Sequence, residues 1–359
     1  MSAVFRQSLA LIEPDLGAPL FPTGSSALLH EVAAWLTADV RIGLECRLDD
    51  SIAPVDLSQM IDVRDGGAGR LHELAVVRER KAEPGAQPIW RRIQRIASAA
   101  ASGEASVDSI WLEYDVGAGL GASTVPSVFA NLAGRGPFES STLLELLQLL
   151  GAEDAHGTLG ENLARAAEGA AAFGGRLHGI AGVMLARKNQ SRVMILGLPS
   201  QAAVDYLLSI GWRGDVREVA EVLEALGADA ATVNLSLELT PALEARVGLE
   251  LALDHPPVDP GRRGRVLDVL VSRGLCTAPK RDALLSWAAQ LTPANAPNRW
   301  PESLLLESLF RAPDEFGVFQ RTLHHVKVAA GGGRVVAKAY LGFVHTWLKP
   351  SLPGYAHVV

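Results

Sequence analysis

The last part of the chain contains two stretches that alternate between apolar and polar residues, joined by the glycine cluster 331–333. In the second stretch, Leu341 and Phe343 belong to an apolar face, whereas Lys338 and Tyr340 lie on the opposite face. Alternation with a period of two residues is typical of a β-strand with one buried face. Two such strands joined by glycines predict a hairpin, which needs an apolar layer on one side and polar surroundings on the other.

The same hairpin pattern recurs along the chain, and each time two predicted helices precede it. The helices are indicated by apolar residues at helical spacing and by terminal glycines such as Gly211 and Gly227. Four repeats are clear, whereas the amino-terminal repeat has a weak second strand at 55–63. The predicted repeats cover residues 20–65, 66–135, 136–199, 200–255 and 256–348.

Ten strands in consecutive hairpins leave two unpaired edges unless the sheet closes. We therefore predict an α+β fold, a single domain over residues 1–359 in which consecutive ααββ units form a roughly ten-stranded antiparallel barrel ringed by helices. An open antiparallel sheet with helices on one face is the first alternative. A two-domain α+β protein, divided near residues 151–157, is the second.

Composition narrows the functional classes. The 359 residues are 48% hydrophobic and carry a formal net charge of −7, which argues against a general nucleic-acid-binding protein. The two cysteines, Cys46 and Cys276, form neither a metal motif nor a disulfide framework. Neither a signal peptide nor a membrane span is predicted, so we expect a cytoplasmic protein, and its oligomeric state is left open.

In a closed barrel, the polar faces of all strands meet in one lumen. Buried charges need partners or water there, so ion pairs between neighbouring strands, for instance Arg246 with Glu238 or Arg47 with Glu45, are the structural alternative to a binding site. The predicted lumen residues are Arg41, Glu45, Arg47, Trp111, Glu113, Asp115, His178, Met184, Arg192, Met194, Asn234, Ser236, Glu238, Arg246, Glu250, Arg321, His325, Lys327, Lys338 and Tyr340.

The order of elements resembles that of the ABBA prenyltransferases, whose ααββ units close a ten-stranded barrel around the active site. In that family, lumenal Arg, Lys and Tyr side chains surround an allylic diphosphate, and Lys338-Ala339-Tyr340 matches a recurring Lys-x-Tyr form of this cage. The resemblance implies that Glu113, flanked by Trp111 and Asp115, orients the aromatic acceptor or takes its proton. Further diphosphate-binding candidates are Arg41, Arg192, Arg246 and Lys327.

The predicted activity is therefore transfer of a prenyl group from an allylic diphosphate to an aromatic or peptide acceptor. Lumenal carboxylates nearly match the cations in number, which leaves two alternatives open. Mg²⁺ could bridge to the diphosphate, although no cofactor is firmly implied. Otherwise the barrel binds a cationic small molecule or peptide through Glu45, Glu113, Glu238 and Glu250. A non-catalytic accessory or interaction protein is a separate alternative.

Overall fold

The computed structural model describes residues 3–33, 36–37, 41–49, 56–115, 124–134, 138–152, 157–184, 190–239, 243–253, 259 and 261–349. Residues predicted to start or end strands at positions 40, 55, 116 and 185–186 lie outside these ranges. None of the helices within them is long and apolar enough to cross a lipid bilayer.

The described residues form helices and strands in the predicted ααββ order. The helices are α1 Ala3–Ile12, α2 Ser25–Ala33, α3 Ala68–Lys81, α4 Gln87–Ser102, α5 Ser140–Leu149, α6 Thr158–Ala172, α7 Ala203–Ser209, α8 Val216–Leu226, α9 Arg262–Ser272, α10 Ala278–Trp287 and α11 Glu302–Ser308. The strands are β1 Arg41–Arg47, β2 Asp56–Asp62, β3 Val107–Tyr114, β4 Ser127–Leu132, β5 Arg176–Met184, β6 Gln190–Pro199, β7 Thr232–Leu239, β8 Leu243–Ala252, β9 Ala289–Leu291, β10 Phe316–Ala330 and β11 Val336–Leu348.

Ten of these strands close into an antiparallel barrel. Each strand from β1 to β8 pairs with the next, β10 pairs with β8, and β11 pairs with both β10 and β1. The short β9 adds to β10 beyond the end of β8. The barrel prediction is confirmed, and the open-sheet alternative is wrong because β11 joins the two edges that an open sheet would leave unpaired.

The outward face of the barrel is the hydrophobic core. Ile110, Leu112 and Leu249 are fully buried under the helices, and the ring of Phe319 stacks on that of Phe343 with 5.0 Å between centroids. The helices supply matching apolar faces, because residues at helical spacing such as Trp90 on α4 are buried. Helix packing thus covers one side of every strand, and the polar side faces inward.

The carboxy-terminal hairpin differs from its prediction in two respects. Alternation predicts strands over residues 323–328 and 335–344, and both strands are longer in the structure. In addition, β10 has a bulge at His324, between the partners Leu323 and His325. One extra residue reverses the faces on which the preceding side chains lie. Arg321 was therefore wrongly predicted to face the lumen: it forms an ion pair with Asp15 and lies over the Trp287 ring on the outer side.

The sequence from Lys280 to Leu291 predicts one helix, but helix α10 stops short of Leu291. It ends at Trp287, and Ala289–Leu291 forms β9. The three residues of β9 pair with Phe319, Gln320 and Arg321. Pairing with the exposed edge of β10 explains why this short segment is extended, since its sequence alone follows a helical pattern.

Candidate functional site

Several charged residues of the lumen, including Glu45, Arg192, Glu238 and Lys338, lie close to the strand ends that meet at the hairpin turns, whereas Glu250 lies near the other end of β8. We call the side of these turns the hairpin end, marked by the turn between β10 and β11, and the other side the helix end. In the described residues, three cations of the lumen each form an ion pair with a glutamate from a neighbouring strand. The three pairs are Arg192–Glu238, Lys327–Glu250 and Lys338–Glu45.

The first pair joins β6 to β7. Arg192 and Glu238 are directly opposite in the register, and Nη2 of Arg192 lies 2.9 Å from Oε1 of Glu238. The guanidinium also lies over the ring of Phe129, 5.6 Å from its centroid. That ring occupies the space beside Gly182, where a Cβ atom would collide with it. Burial disfavours the charge on Arg192, but Glu113 and Glu238 outweigh it and raise the pKa of Arg192.

The second pair joins β10 to β8. Lys327 donates a hydrogen bond to the hydroxyl of Ser236 (2.9 Å), and its Nζ lies 3.1 Å from Oε1 of Glu250. The side chain crosses over Gly248, whose missing Cβ leaves room for it. Burial and the nearby Arg192 charge lower the pKa of Lys327 despite the carboxylate of Glu250. Burial also acts on Glu250, but Lys327 outweighs it and lowers the pKa of that glutamate.

The third pair joins β11 to β1 and includes a second carboxyl group. Glu45 accepts hydrogen bonds from Lys338, Tyr340 and Asp56. Burial would raise the pKa of Glu45, but the Lys338 ammonium outweighs it, and the pKa falls to about 2. Burial raises the pKa of Asp56 to about 8, and the carboxylates of Glu45 and Asp115 add to this effect.

Tyr340 and His325 connect the second and third pairs. Their rings stack with centroids 4.1 Å apart and planes 12° apart. Nε2 of His325 lies 3.8 Å from Oε2 of Glu250, and its Nδ1 lies 2.8 Å from Nδ1 of His324 at the bulge. Burial lowers the pKa of His325 to about 4, so the ring is neutral at neutral pH. Burial followed by the charge of Glu45 raises the pKa of Tyr340.

Glu113 belongs to the same electrostatic unit. Its carboxylate raises the pKa of both Arg192, on the distant strand β6, and Tyr340, on β11. The lumen thus brings ten strand residues together in one charged site. They are Glu45, Asp56, Glu113, Arg192, Glu238, Glu250, His325, Lys327, Lys338 and Tyr340. With Glu113, the described lumen has four glutamates facing three strong cations, while Asp56 keeps a proton at neutral pH.

The remaining predicted site residues lie farther from this unit. Arg41 is exposed at the helix end of the barrel, 3.9 Å from Asp62, and Arg246 is exposed near the hairpin turn that contains Gly332. Trp111 faces the lumen between Met60 and Phe129 in the register. Asp115 follows the end of β3 and is exposed, but its charge acts on Asp56.

Sequence reasoning missed Asp56 and Phe129 as site residues. Asp56 begins the weakly predicted second strand of the first repeat, and only its pairing with Glu45 in the register identifies it as a lumen residue. Phe129 lies on the polar face of β4, where an aromatic residue among polar neighbours was a usable signal. The predicted pairing of Arg246 with Glu238 is wrong, because Glu238 pairs with Arg192.

A resident metal ion does not fit the described residues. No group of three or more His, Cys, Asp or Glu side chains among them is arranged to hold one. Glu45, Glu238 and Glu250 instead each form an ion pair with a cation.

Comparison with solved structures confirms the predicted resemblance at the level of the fold. The chain is similar to 6-dimethylallyltryptophan synthase from Micromonospora olivasterospora, solved in complex with DMASPP and Trp. The TM-score is 0.52 with 15% sequence identity, over 95% of this chain and 97% of that chain. No protein-family model and no curated protein matches the sequence. The chain has the fold of the ABBA prenyltransferases.

Proposed function

We propose that the barrel lumen is the active site of a prenyltransferase-like enzyme, which moves a prenyl group from an allylic diphosphate to an aromatic or peptide acceptor. The observation that carries this proposal is the convergence of Arg192, Lys327, Lys338 and Tyr340 on one side of a closed lumen, with Glu113 facing them. The similarity in fold supports it, because the solved structure holds DMASPP and Trp.

Each residue type suits a part of that reaction. A diphosphate leaving group gains negative charge as its C–O bond ionises, and fixed cations stabilise that charge. Arg192 and Lys327 are the cations for this role, and Tyr340 supplies a hydroxyl donor together with a ring that can shield an allylic cation. We assign the orientation of the acceptor to Glu113, because its charge acts on both Arg192 and Tyr340.

The ion pairs set a condition on substrate binding. Arg192 and Lys327 each contact a glutamate, so a diphosphate must replace Glu238 and Glu250 as their partner or arrive with Mg²⁺, which offsets the glutamate charge. Removing one competing carboxylate therefore strengthens binding. A charge-assisted hydrogen bond contributes about 1.5–3 kcal/mol, and we expect Glu238→Gln to tighten the affinity for a diphosphate by roughly tenfold or more.

The experiment is calorimetric titration of the full chain with a non-hydrolysable dimethylallyl diphosphate analogue, with and without Mg²⁺. Wild type, Glu238→Gln and Arg192→Ala are compared, and Glu224→Gln, at an exposed position on α8, is the matched control. We expect saturable binding that Glu238→Gln strengthens, Arg192→Ala abolishes and the control leaves unchanged. Absence of binding in every variant, with and without Mg²⁺, rejects the proposal.

A second candidate function is binding of a cationic small molecule or peptide. It is favoured by one observation: the described lumen has four glutamates for three strong cations, and those cations already have glutamate partners. In this case Glu238→Gln weakens ligand binding, opposite to its effect on a diphosphate. Titrating wild type and Glu238→Gln with an arylalkylamine thus separates the two functions by the sign of one change in affinity.

A further inference from the structure

Glu45 is held by donors from strands on both of its sides. On β1 it is directly opposite Asp56 of β2 and Tyr340 of β11, and all three side chains face the lumen. The ammonium group of Lys338 completes the set through its ion pair with Glu45. The carboxyl groups of Glu45 and Asp56 are thus brought together by strand register, in a buried position at the hairpin end of the barrel.

A hydrogen bond between two carboxyl groups requires a proton on one of them, because ionised carboxylates have only acceptors. Lys338 and Tyr340 both donate to Glu45, so the ionised form is favoured there and the proton stays on Asp56. The surrounding charges act in the same direction: Glu45 and Asp115 disfavour a charge on Asp56, and Lys338 opposes them only in part.

We propose that Asp56, which holds a proton against Glu45, is the acid–base residue of the lumen. The proposal rests on the prenyl transfer proposed above and assigns the proton movements of that reaction. Asp56 is suited to this role because its raised pKa of about 8 lies near neutral pH, where a group both gives and takes a proton most effectively. Lys338 and Glu45 are positioning residues, since they act through Asp56.

Asp56 gives up its proton and regains one within a single transfer. The C–O bond of the allylic diphosphate breaks with its electron pair on the diphosphate oxygen, and Asp56 passes its proton to that oxygen. The allylic cation forms a carbon–carbon bond with the aromatic acceptor. The acceptor carbon then loses its proton to the Asp56 carboxylate, which restores the starting state. The products are the prenylated acceptor and protonated diphosphate, with no net change on the protein.

The three lumenal cations have different roles in this reaction. Lys338 is committed to Glu45, which keeps that carboxylate ionised and the proton on Asp56. Arg192 and Lys327 lie on β6 and β10 and interact with each other electrostatically, so they form a separate diphosphate-binding pair. Replacing Lys338 should then affect the protonation of Asp56 more than it affects the affinity for a diphosphate.

The first test is titration of the side-chain carboxyl groups in the full chain by carbon-13 NMR, which needs no substrate. We expect Asp56, identified by its loss in Asp56→Asn, to titrate near pH 8 in wild type and at lower pH in Glu45→Gln. Asp62→Asn, on the same strand at the helix end, is the matched control and should leave the Asp56 resonance unchanged. Titration of Asp56 near pH 4 in wild type overturns the proposal.

The second test is the rate of single-turnover transfer with dimethylallyl diphosphate and an indole acceptor. We expect Asp56→Asn to slow transfer by about 100-fold or more, with the affinity for the diphosphate analogue unchanged within threefold, and the wild-type rate to fall above pH 8. A wild-type rate in Asp56→Asn overturns the acid–base role. Absence of diphosphate binding in wild type would reject the proposed function, and the role of Asp56 in prenyl transfer would be rejected with it. The NMR titration does not depend on a substrate, so it still shows whether Asp56 holds a proton against Glu45.

Discussion

The two faces of the barrel sheet use the same strands in opposite ways. The outward face is apolar, is covered by helices and is stabilised by close packing of residues such as Phe319 and Phe343. The inward face holds the ion pairs, each formed between strands that are neighbours in the sheet. The outward face therefore determines the fold, whereas the inward face holds charges whose arrangement depends on register and on gaps left by glycines.

The difference shows that burial has different consequences on the two sides. An outward residue stabilises the fold in proportion to the apolar surface area that it buries, so truncating it lowers the free energy of unfolding at any position in the core. An inward charge contributes only together with its partner, because burying an unpaired charge is costly. Truncating a side chain on the outward face and truncating one on the inward face should therefore change the free energy of unfolding by different amounts.

The largest effect is expected on the outward face. Phe343→Ala removes a fully buried ring that stacks on Phe319, and we expect it to lower the free energy of unfolding by about 3–5 kcal/mol. The adjacent residue Val344 lies on the other face and is only half-buried, so Val344→Ala should cost about 1 kcal/mol or less. Urea unfolding of the two variants checks the comparison, and equal losses would contradict it.

A smaller but more specific effect is expected from the lumen. Lys327→Met leaves the buried carboxylate of Glu250 without its main cation, and we expect a loss of about 3 kcal/mol in the free energy of unfolding. Adding Glu250→Gln removes the unpaired charge and should restore part of the loss. The two singles and the double variant form a thermodynamic cycle in urea unfolding. Simple additivity would show that the pair is not energetically coupled.

The two faces also differ in how well the sequence predicts them, because the outward face requires only apolar residues whereas the inward face requires specific charge partners. Alternation predicts the outward face well, because Leu112, Leu249 and Phe343 need only be apolar every second residue to belong to the core. The sequence did not decide between a closed barrel and an open sheet, because five consecutive hairpins leave two edges that can pair with each other or stay unpaired. The bulge at His324 could not be predicted, and this one extra residue misplaced Arg321.

The pairing of charges in the lumen could not be predicted for a different reason. Which cation meets which carboxylate depends on the register between strands, and alternation specifies the face of a residue but not its height in the barrel. Arg192, rather than Arg246, is opposite Glu238 for this reason. Asp56 was missed because the second strand of the first repeat has a weak pattern, in which Gln59 lies on the buried outward face and Met60 on the lumen face.

The pH dependence of stability tests the third ion pair. Asp56 has a pKa of about 8 in the folded chain and about 3.9 when unfolded, so the folded state holds its proton more tightly. Its contribution to stability is fully present below pH 4 and is lost as pH rises to about 8. Asp56→Asn cannot ionise, so its melting temperature relative to wild type should rise between pH 5 and 9. A constant difference over that range would contradict the shared proton.

The smallest effect is expected at Arg41, which the sequence placed among the diphosphate ligands. Its side chain is 45% exposed and its guanidinium lies 3.9 Å from Asp62 at the helix end, so Arg41→Ala should change the free energy of unfolding by less than about 0.5 kcal/mol. If the diphosphate binds between Arg192 and Lys327, its affinity in calorimetry should also be unchanged. Weakening as large as that in Arg192→Ala would move the binding site toward the helix end of the barrel and separate it from the charged unit around Tyr340.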